Sequence, residues 1–350
     1  MTYLRPCIIA MKGYVPGMQP PEKEKYIKLN SNENPYPPSP RVAETLQKIS
    51  YQDLRFYPDP LCHQLREKLG ELYGLAPEQI ICGNGSDDVL NIIVRTFLQP
   101  GEAMAFYEPT FPLYRVLGII HGAEIIALPL AEPSPQLPEP PLRAKVFFLA
   151  NPNSPLGYSL SLAQVSQLAK KVHGILVVDE AYAEFAKENA LSLLTNFKNV
   201  IIVRTVSKSY SLAGVRLGYA LGPVELIKEM FKVKDPFNVN QLTQKIVLAA
   251  LGDREYYQRN IARIVATRDW FSAEARQLGY KIIPSQANFI FPQPPRKGEG
   301  RSFYQYLYEK RILTRFFDEE MLKDGVRMTI GTQEEMEFTL QVMHEIIKRY

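Results

Sequence analysis

Residues 174–185, GILVVDEAYAEF, and residues 199–218, NVIIVRTVSKSYSLAGVRLG, decide the fold. Each opens with a short run of Ile, Leu and Val that is apolar throughout, and each ends in polar residues: Asp179 and Glu180 in the first, Ser207 and Lys208 in the second. A continuous apolar run of this length suits a strand covered on both faces, as in a parallel sheet between helices. The pattern recurs upstream in QIIC (79–82), AMAFY (103–107), EIIAL (124–128) and KVFFLA (145–150). Between these runs lie amphipathic stretches that read as helices: SDDVLNIIVRTFL from Ser86, FPLYRVLGII from Phe111 and LAQVSQLAKKV from Leu162. Ser39-Pro40 offers an N-cap and a first-turn proline for an earlier helix, and Pro60 is expected to start another that Gly74 stops. Strands alternating with helices predict an α/β fold with a mostly parallel sheet.

Past residue 250 the texture changes. A long helix over 253–279, short strands KIIP (281–284) and NFIF (288–291), a helix from Arg301, strand VRMTI (326–330) and a terminal helix from Glu334 read as a smaller α+β domain. Trp270 and Phe271, on the long helix, are read as core packing. The expected division is an N-terminal arm with the start of the small domain over 1–50, a large domain over 51–250 and a small domain over 251–350. A chain of 350 residues is long enough for this arrangement.

Composition excludes several classes. With 46% hydrophobic and 22% charged residues the chain is neither disordered nor fibrous. A net charge of +4 without a basic block gives no electrostatic footprint for nucleic acid or a membrane surface, so the expected partners are small molecules. Cys7, Cys62 and Cys82 fit neither a disulfide framework nor a zinc cluster, which favours a reducing cytoplasm. The apolar stretch Cys7 to Met11 is too short for a signal sequence, and no run reaches membrane-spanning length. His63, His121, His173 and His344 stand apart, so no metal site is expected. The 28 prolines exceed the usual share of about 5% and bunch in three places, the early loops, 133–155 and 292–295. Those at 133–141 read as a stiff surface connection, and the early cluster with Pro152 and Pro155 as loops held in shape.

In an open α/β sheet, ligands bind beyond the carboxyl ends of the strands. Three features lie there. Gly83-Asn84-Gly85-Ser86 leads into a helix, where backbone N–H groups can approach an anion. Asp179 is a carboxylate at a buried strand end, which needs a positive partner: a salt bridge, a metal or a protonated heterocycle. Lys208, flanked by Ser207 and Ser209, can serve as a nucleophilic amine. Taken singly, each has a plainer reading: a glycine turn, a turn cap, a solvated lysine. Taken together, they share one crevice. An acid, a lysine, Arg216, the hydroxyls of Ser86, Thr205 and Ser207, and an aromatic at Phe111 are what pyridoxal phosphate requires. Lys208 would anchor its aldehyde, Asp179 would keep its ring nitrogen protonated, and Gly85, Ser86, Thr205, Ser207 and Arg216 would hold its phosphate.

The stretches VRTVSKSYSLAGVRLGYALG (203–222) and VVDEAYAEF (177–185) resemble the lysine and aspartate signatures of fold-type I pyridoxal-phosphate aminotransferases. Further matches are KGYVPGMQP, KLNSNENPYPPSP, RFYPDP, GNGSDDVL, YEPTFPLY, NPNSPLG, PSQANFIF and GVRMTIGTQEE. Together they are similar to the histidinol-phosphate aminotransferase branch of that family. The resemblance implies a seven-stranded sheet in the large domain, pyridoxal phosphate as cofactor, histidinol phosphate and 2-oxoglutarate or glutamate as substrates, and a homodimer with sites at the subunit interface. It implies Lys208, Asp179 and Tyr182 as catalytic residues. It adds Asp87, Asn153 and Tyr182 to the cofactor contacts, and makes Phe111 the aromatic that stacks on the ring. Tyr57 would reach the cofactor phosphate of the neighbouring subunit. Tyr14, Asn32, Arg315 and Arg327 would contact substrate, Arg327 receiving a carboxylate. Glu33 is left without a role. One departure stands out: Ser154 takes a position where the family commonly has the Asn that donates to the ring oxygen, leaving Asn153 or Tyr182 to make that contact. An aromatic-amino-acid aminotransferase or a threonine-phosphate decarboxylase is the alternative on the same scaffold. A transcription regulator would need a DNA-binding module that the first 40 residues do not supply, and a Rossmann nucleotide site would need G-x-G-x-x-G.

Overall fold

A computed structural model describes residues 3–20, 25–134 and 136–349. The apolar runs form a seven-stranded sheet from β1 (Ile80–Gly83), β2 (Ala103–Glu108), β3 (Glu124–Pro129), β4 (Ala144–Ala150), β5 (Ile175–Asp179), β6 (Val200–Thr205) and β7 (Gly218–Leu221). The spatial order is β1-β7-β6-β5-β4-β2-β3. The four pairings from β3 to β6 are parallel, and β7 alone runs antiparallel to its neighbours β1 and β6. This is the expected α/β fold with a mostly parallel sheet.

Strand β7 is the element the residue pattern did not reveal. It lies inside the stretch read for its lysine and arginine, and its four residues are too few to show a period. Two helices that follow, Val224–Val233 and Gln241–Leu251, were likewise not anticipated. Helix Pro40–Lys48 starts as its Ser39 cap predicts, with Ser39 Oγ accepting from Arg41 N. The next helix begins at His63 rather than Pro60, because Asp59 accepts from the N–H groups of Leu61 and His63 and holds the intervening residues in a turn. Gly74, at φ 68°, ends it as expected.

The sheet separates two apolar cores. On one face Val89 and Ile93 of helix Ser86–Phe97 join Met104, Phe106, Phe148 and Ala220 of the sheet in one cluster. On the other, Leu65, Phe147, Leu176, Val178, Ile202 and Val247 form the larger cluster. A third core, with Phe271, Ile290, Phe303, Met328 and Met343, holds the helix Arg254–Gln277 against the elements of the C-terminal region. Leu29 joins that third core, and Ile27–Lys28 pairs in parallel with Ile312–Leu313. The N-terminal segment is therefore built into the C-terminal region, and residues 30–32 are delivered to the carboxyl ends of the large sheet. Among the described residues no helix is long and apolar enough to cross a membrane.

Candidate active site

The carboxyl ends of β5 and β6 and the start of β7 open into a cavity of about 260 Å³. Register fixes what stands beside what. Gly218 pairs with Gly83 on one side and with Thr205 on the other, so all three occupy one row across the sheet. A Cβ on Gly218 would overlap the backbone at Ser86, so glycine there lets the strand come up against the first turn of helix Ser86–Phe97. Gly85, the N-cap, has φ 85°, and a Cβ on it would overlap the Arg216 guanidinium. The helix start carries no side-chain cap. Open N–H groups, the Thr205 and Ser207 hydroxyls 2.9 Å apart, and Arg216 thus converge at one end of the cavity. Arg216 Nη2 is meanwhile 3.3 Å from Asp87 Oδ2, a half-exposed pair.

Asp179, which pairs with Val203 two residues before Thr205, lies deeper in the site and is buried at 6% exposure. Its Oδ2 accepts from Tyr114 Oη at 2.7 Å and its Oδ1 from Ala181 N at 3.2 Å. Burial pushes its carboxyl up to about 6, the two hydrogen bonds oppose that, and the charges of Asp87 and Glu180 add to it. Neither hydrogen-bond partner carries charge. The carboxylate therefore favours a cation brought to it from the cavity.

Lys208 follows β6 by three residues. Burial, first, and the nearby Arg327 and Arg216 lower its ammonium to about 8, while Glu33 and Asp87 oppose the shift. Its Nζ donates to Ser31 O at 3.3 Å and sits 6.0 Å from the Tyr182 ring centre. A half-buried amine with a depressed pKa is partly neutral near neutral pH, the form that acts as nucleophile or base.

Arg327 enters from the C-terminal region on its short strand Val326–Thr329. Its Nη2 donates to Asn30 O at 2.9 Å and its Nη1 reaches Ser154 Oγ at 3.4 Å, while Nε is buried with no hydrogen-bond partner. A half-buried guanidinium that lines the cavity and meets no carboxylate in these bonds suits an incoming anion. Arg315 is more fully engaged: Nη1 and Nη2 donate to Pro16 O at 2.8 Å and Val15 O at 2.6 Å. Those bonds lay the N-terminal strap over the cavity, where Tyr14 meets the Phe111 ring edge-on at 5.9 Å.

Most residues expected at the site line this cavity: Tyr14, Asn32, Ser86, Asp87, Phe111, Asp179, Tyr182, Thr205, Ser207, Lys208, Arg216, Arg315 and Arg327. Gly85 lies behind Arg216. Two residues lie elsewhere. Asn153 does not line the cavity; its Nδ2 donates to Pro109 O and its Oδ1 accepts from Leu156 N, so both ends of the amide are used in fixing the turn. Tyr57 is 80% exposed and stacks on Phe237 at 4.4 Å, away from the cavity of its own chain. Asn32, expected to meet substrate, donates from Nδ2 to Tyr182 Oη at 2.9 Å. Ser154, where the departure from the family pattern lies, faces the cavity directly.

The sequence does not single out Tyr114 as a partner of Asp179, although Tyr114 follows Phe111 by three residues at the start of helix Leu113–His121 and the two rings meet edge-on at 5.8 Å. Nor does it reveal the buried pair of Arg204 with Glu180, 2.7 Å apart. Among the described residues no cluster of three or more His, Cys, Asp or Glu could hold a metal ion.

The residues present fit pyridoxal phosphate. The phosphate has an uncapped helix start, two hydroxyls and Arg216; the ring nitrogen has a carboxylate short of a cation; the aldehyde has a partly desolvated amine. Comparison with known proteins agrees with this geometry. Residues 24–342 match the model of the aminotransferase class I and II family. A protein of Citrifermentans bemidjiense named histidinol-phosphate aminotransferase is 45% identical over 99% of both chains. One of the same name from Syntrophotalea carbinolica is 46% identical over 99% of this chain and 100% of that one. The crystal structure of histidinol-phosphate aminotransferase from Sinorhizobium meliloti in complex with pyridoxal 5'-phosphate superposes with a TM-score of 0.88, covering 100% of this chain and 98% of that one at 25% identity.

Proposed function

The chain belongs to the class I and II aminotransferases, and we propose that within this family it moves the amino group of L-histidinol phosphate to 2-oxoglutarate, with pyridoxal phosphate as cofactor. The observation that carries this reading is a partly desolvated amine and a buried, cation-deficient carboxylate opening on one cavity with an anion cradle at its end. The names carried by relatives of equal length support the substrate. The three thiols, none in a disulfide, favour a cytoplasmic reaction.

The chemistry supplied by pyridoxal phosphate, when bound, is an aldehyde that takes up the amino group and a ring that accepts the electron pair left when the adjacent C–H bond breaks. Gly85, Ser86, Thr205, Ser207 and Arg216 hold the phosphate. Phe111 covers the ring, and Tyr182 meets its hydroxyl oxygen. Asp179 holds a proton on the ring nitrogen through charge pairing, which its desolvated site strengthens. Lys208 Nζ, neutral in part, takes the proton from the substrate carbon and returns it at the neighbouring position. Arg327, which lines the cavity, receives an anionic group of each substrate through its guanidinium. Tyr14, on the strap, closes the site from above and excludes water.

We also infer a homodimer. Tyr51, Leu54, Phe56 and Tyr57 expose at least 63% of their surface each along one short segment, an apolar patch that a second copy would cover. Tyr57 would then serve the neighbouring site.

The test is spectroscopic. Adding histidinol phosphate to the holoenzyme should bleach the visible absorbance of the bound cofactor, and adding 2-oxoglutarate should restore it. A response to phenylalanine or threonine phosphate in place of histidinol phosphate would instead assign the protein to an aromatic aminotransferase or a decarboxylase.

A further inference from the structure

Tyr182 is the one phenol that reaches this cavity from the end of β5, and the hydrogen-bond sense of its hydroxyl decides what it offers a ligand. We propose that Asn32, oriented by Thr329, is a positioning residue that makes the Tyr182 hydroxyl a donor toward the cavity. This rests on the reading of the site as one for pyridoxal phosphate.

Three buried residues form the arrangement: Asn32, Thr329 and Asn288 are 1%, 2% and 0% exposed. The backbone N–H of Asn32 donates to Thr329 Oγ1 at 2.9 Å. With that lone pair occupied, the Thr329 hydroxyl directs its own proton to Asn32 Oδ1, 3.2 Å away. The carbonyl end of the amide is thereby fixed, and the NH₂ end faces Tyr182 Oη at 2.9 Å. Asn288 Nδ2 donates to Asn32 O at 3.1 Å and anchors the same residue from behind. Asn32 itself has φ 54°, a left-handed conformation that Asn tolerates better than most side chains. An amide N–H leaves Tyr182 Oη only the accepting role in that bond, so the phenolic proton is free to point at a ligand oxygen.

The surroundings reinforce a fixed sense. Tyr182 is held edge-on against Phe289 at 4.9 Å. The groups facing it are Lys208 on one side of the ring, Arg327, Asp179 and Ser154. Burial, with Asp179, pushes the phenol above its usual range and keeps it protonated, while Arg327 and the hydrogen bonds with Asn32 and Ser154 oppose that shift. Of its two side-chain hydrogen bonds, the one from Asn32 has a fixed sense, because an amide N–H can only donate, whereas the Ser154 hydroxyl can donate or accept.

The experiment compares holoenzymes of the wild type, Thr329→Val, Thr329→Ser and Asn32→Asp. It reads the pH midpoint of the bound cofactor's visible absorbance, together with melting temperature and the split between kcat and KM. A phenol donating to a ligand oxygen favours the deprotonated ligand and lowers that midpoint. Asn32→Asp replaces the donor with an acceptor that turns the phenolic proton away, and should raise the midpoint by about one pH unit. Thr329→Val unties the amide without adding charge and should raise it by roughly half as much, with kcat falling more than KM rises. Thr329→Ser restores the hydroxyl and should return the wild-type midpoint. A wild-type midpoint in folded, cofactor-loaded Thr329→Val and Asn32→Asp would overturn the proposal. Should Asn32→Asp fail to fold, Thr329→Val against Thr329→Ser decides alone. A wild-type protein that binds no pyridoxal phosphate would overturn the underlying reading, and the proposal with it.

Discussion

Asp179 and Glu180 are consecutive carboxylates at the end of one strand, both buried, and they face opposite sides of the sheet with opposite fates. Glu180 meets Arg204, whose Nε and Nη2 donate to Oε2 at 2.9 and 2.7 Å, and its other oxygen accepts from Ala190 N. Arg204 has Glu184 as a second acidic partner and lies over the Tyr73 ring. Asp179 has only a phenol and one backbone N–H, and no cation among these partners. A buried charge fully matched inside the fold is structural; one left short of its counter-charge beside a cavity is prepared for a ligand. Arg204 and Arg327 repeat the lesson with the sign reversed. Every donor of the former that the fold needs is spent, whereas the latter lines the cavity and meets no carboxylate in its hydrogen bonds.

The largest loss is expected at the amine that completes the cavity. Lys208→Ala should lower turnover by at least about 10⁴-fold, since it removes both the anchor and the proton carrier, while the phosphate cradle still retains part of the cofactor affinity. Steady-state assay with equilibrium binding of pyridoxal phosphate checks both halves. Next comes the division between the two carboxylates. Asp179→Asn should cost roughly 10³-fold in kcat with a folded protein, because a neutral amide no longer holds the ring nitrogen protonated. Glu180→Ala should do the reverse: a loss of about 3 to 5 kcal/mol in unfolding free energy from stranding Arg204, with kcat per folded molecule changing far less than in Asp179→Asn. Denaturation midpoints against single-turnover rates separate the cases. Equal damage to both quantities in both variants would show that the two carboxylates do not differ in kind.

A pH measurement sharpens the same contrast. Asp179 has its pKa raised by the fold from 3.8 to about 6, so the folded, cofactor-free protein binds this proton more tightly than the unfolded chain does. Its contribution to stability is full below about pH 4 and is lost as pH rises through about 6. A shift of that size corresponds to on the order of 2 to 3 kcal/mol. Cofactor-free wild type should therefore show a downward component in its unfolding free energy across that window, and Asp179→Asn should lack it. Saturation with pyridoxal phosphate should remove it in the wild type too, once a protonated nitrogen meets the carboxylate. A difference curve between wild type and variant that stays level from pH 4 to 6 would reject the account.

How much of this was legible beforehand follows from what each feature depends on. The parallel strands announced themselves because burial on both faces makes them continuously apolar, and Asp179 and Lys208 were visible as polar residues directly after such runs. Strand β7 was not, since Gly218–Leu221 is four residues long and follows a turn whose glycines and arginine suggested a loop. Arg204 sits within an otherwise apolar strand and reads as noise until its partner across the sheet is known. Tyr114, Asn32 and Thr329 act through contacts between segments 65, 150 and 297 residues apart, which no local pattern encodes. Asn153 shows the opposite failure: its place in the motif is plain, but only coordinates reveal that its amide is consumed in the turn.

The smallest predicted effect concerns Arg315, which stands between the two kinds of site. Its guanidinium is satisfied, as Arg204's is, but by carbonyls of the strap rather than by a fixed carboxylate. Those bonds are uncharged at the acceptor, so an anionic substrate group can outcompete them, at the cost of loosening the strap that carries Tyr14. Lysine cannot hold both carbonyls with one planar fork. Arg315→Lys should therefore raise KM for the phosphorylated substrate by about tenfold or less, leave the cofactor spectrum unchanged, and speed hydrogen exchange of the amides at residues 14–19. A raised KM with unchanged exchange would mean that Arg315 acts only by direct contact with substrate. Faster exchange with an unchanged KM would mean that the strap is held for reasons unrelated to binding. Only the two effects together place this arginine between a structural charge and a functional one.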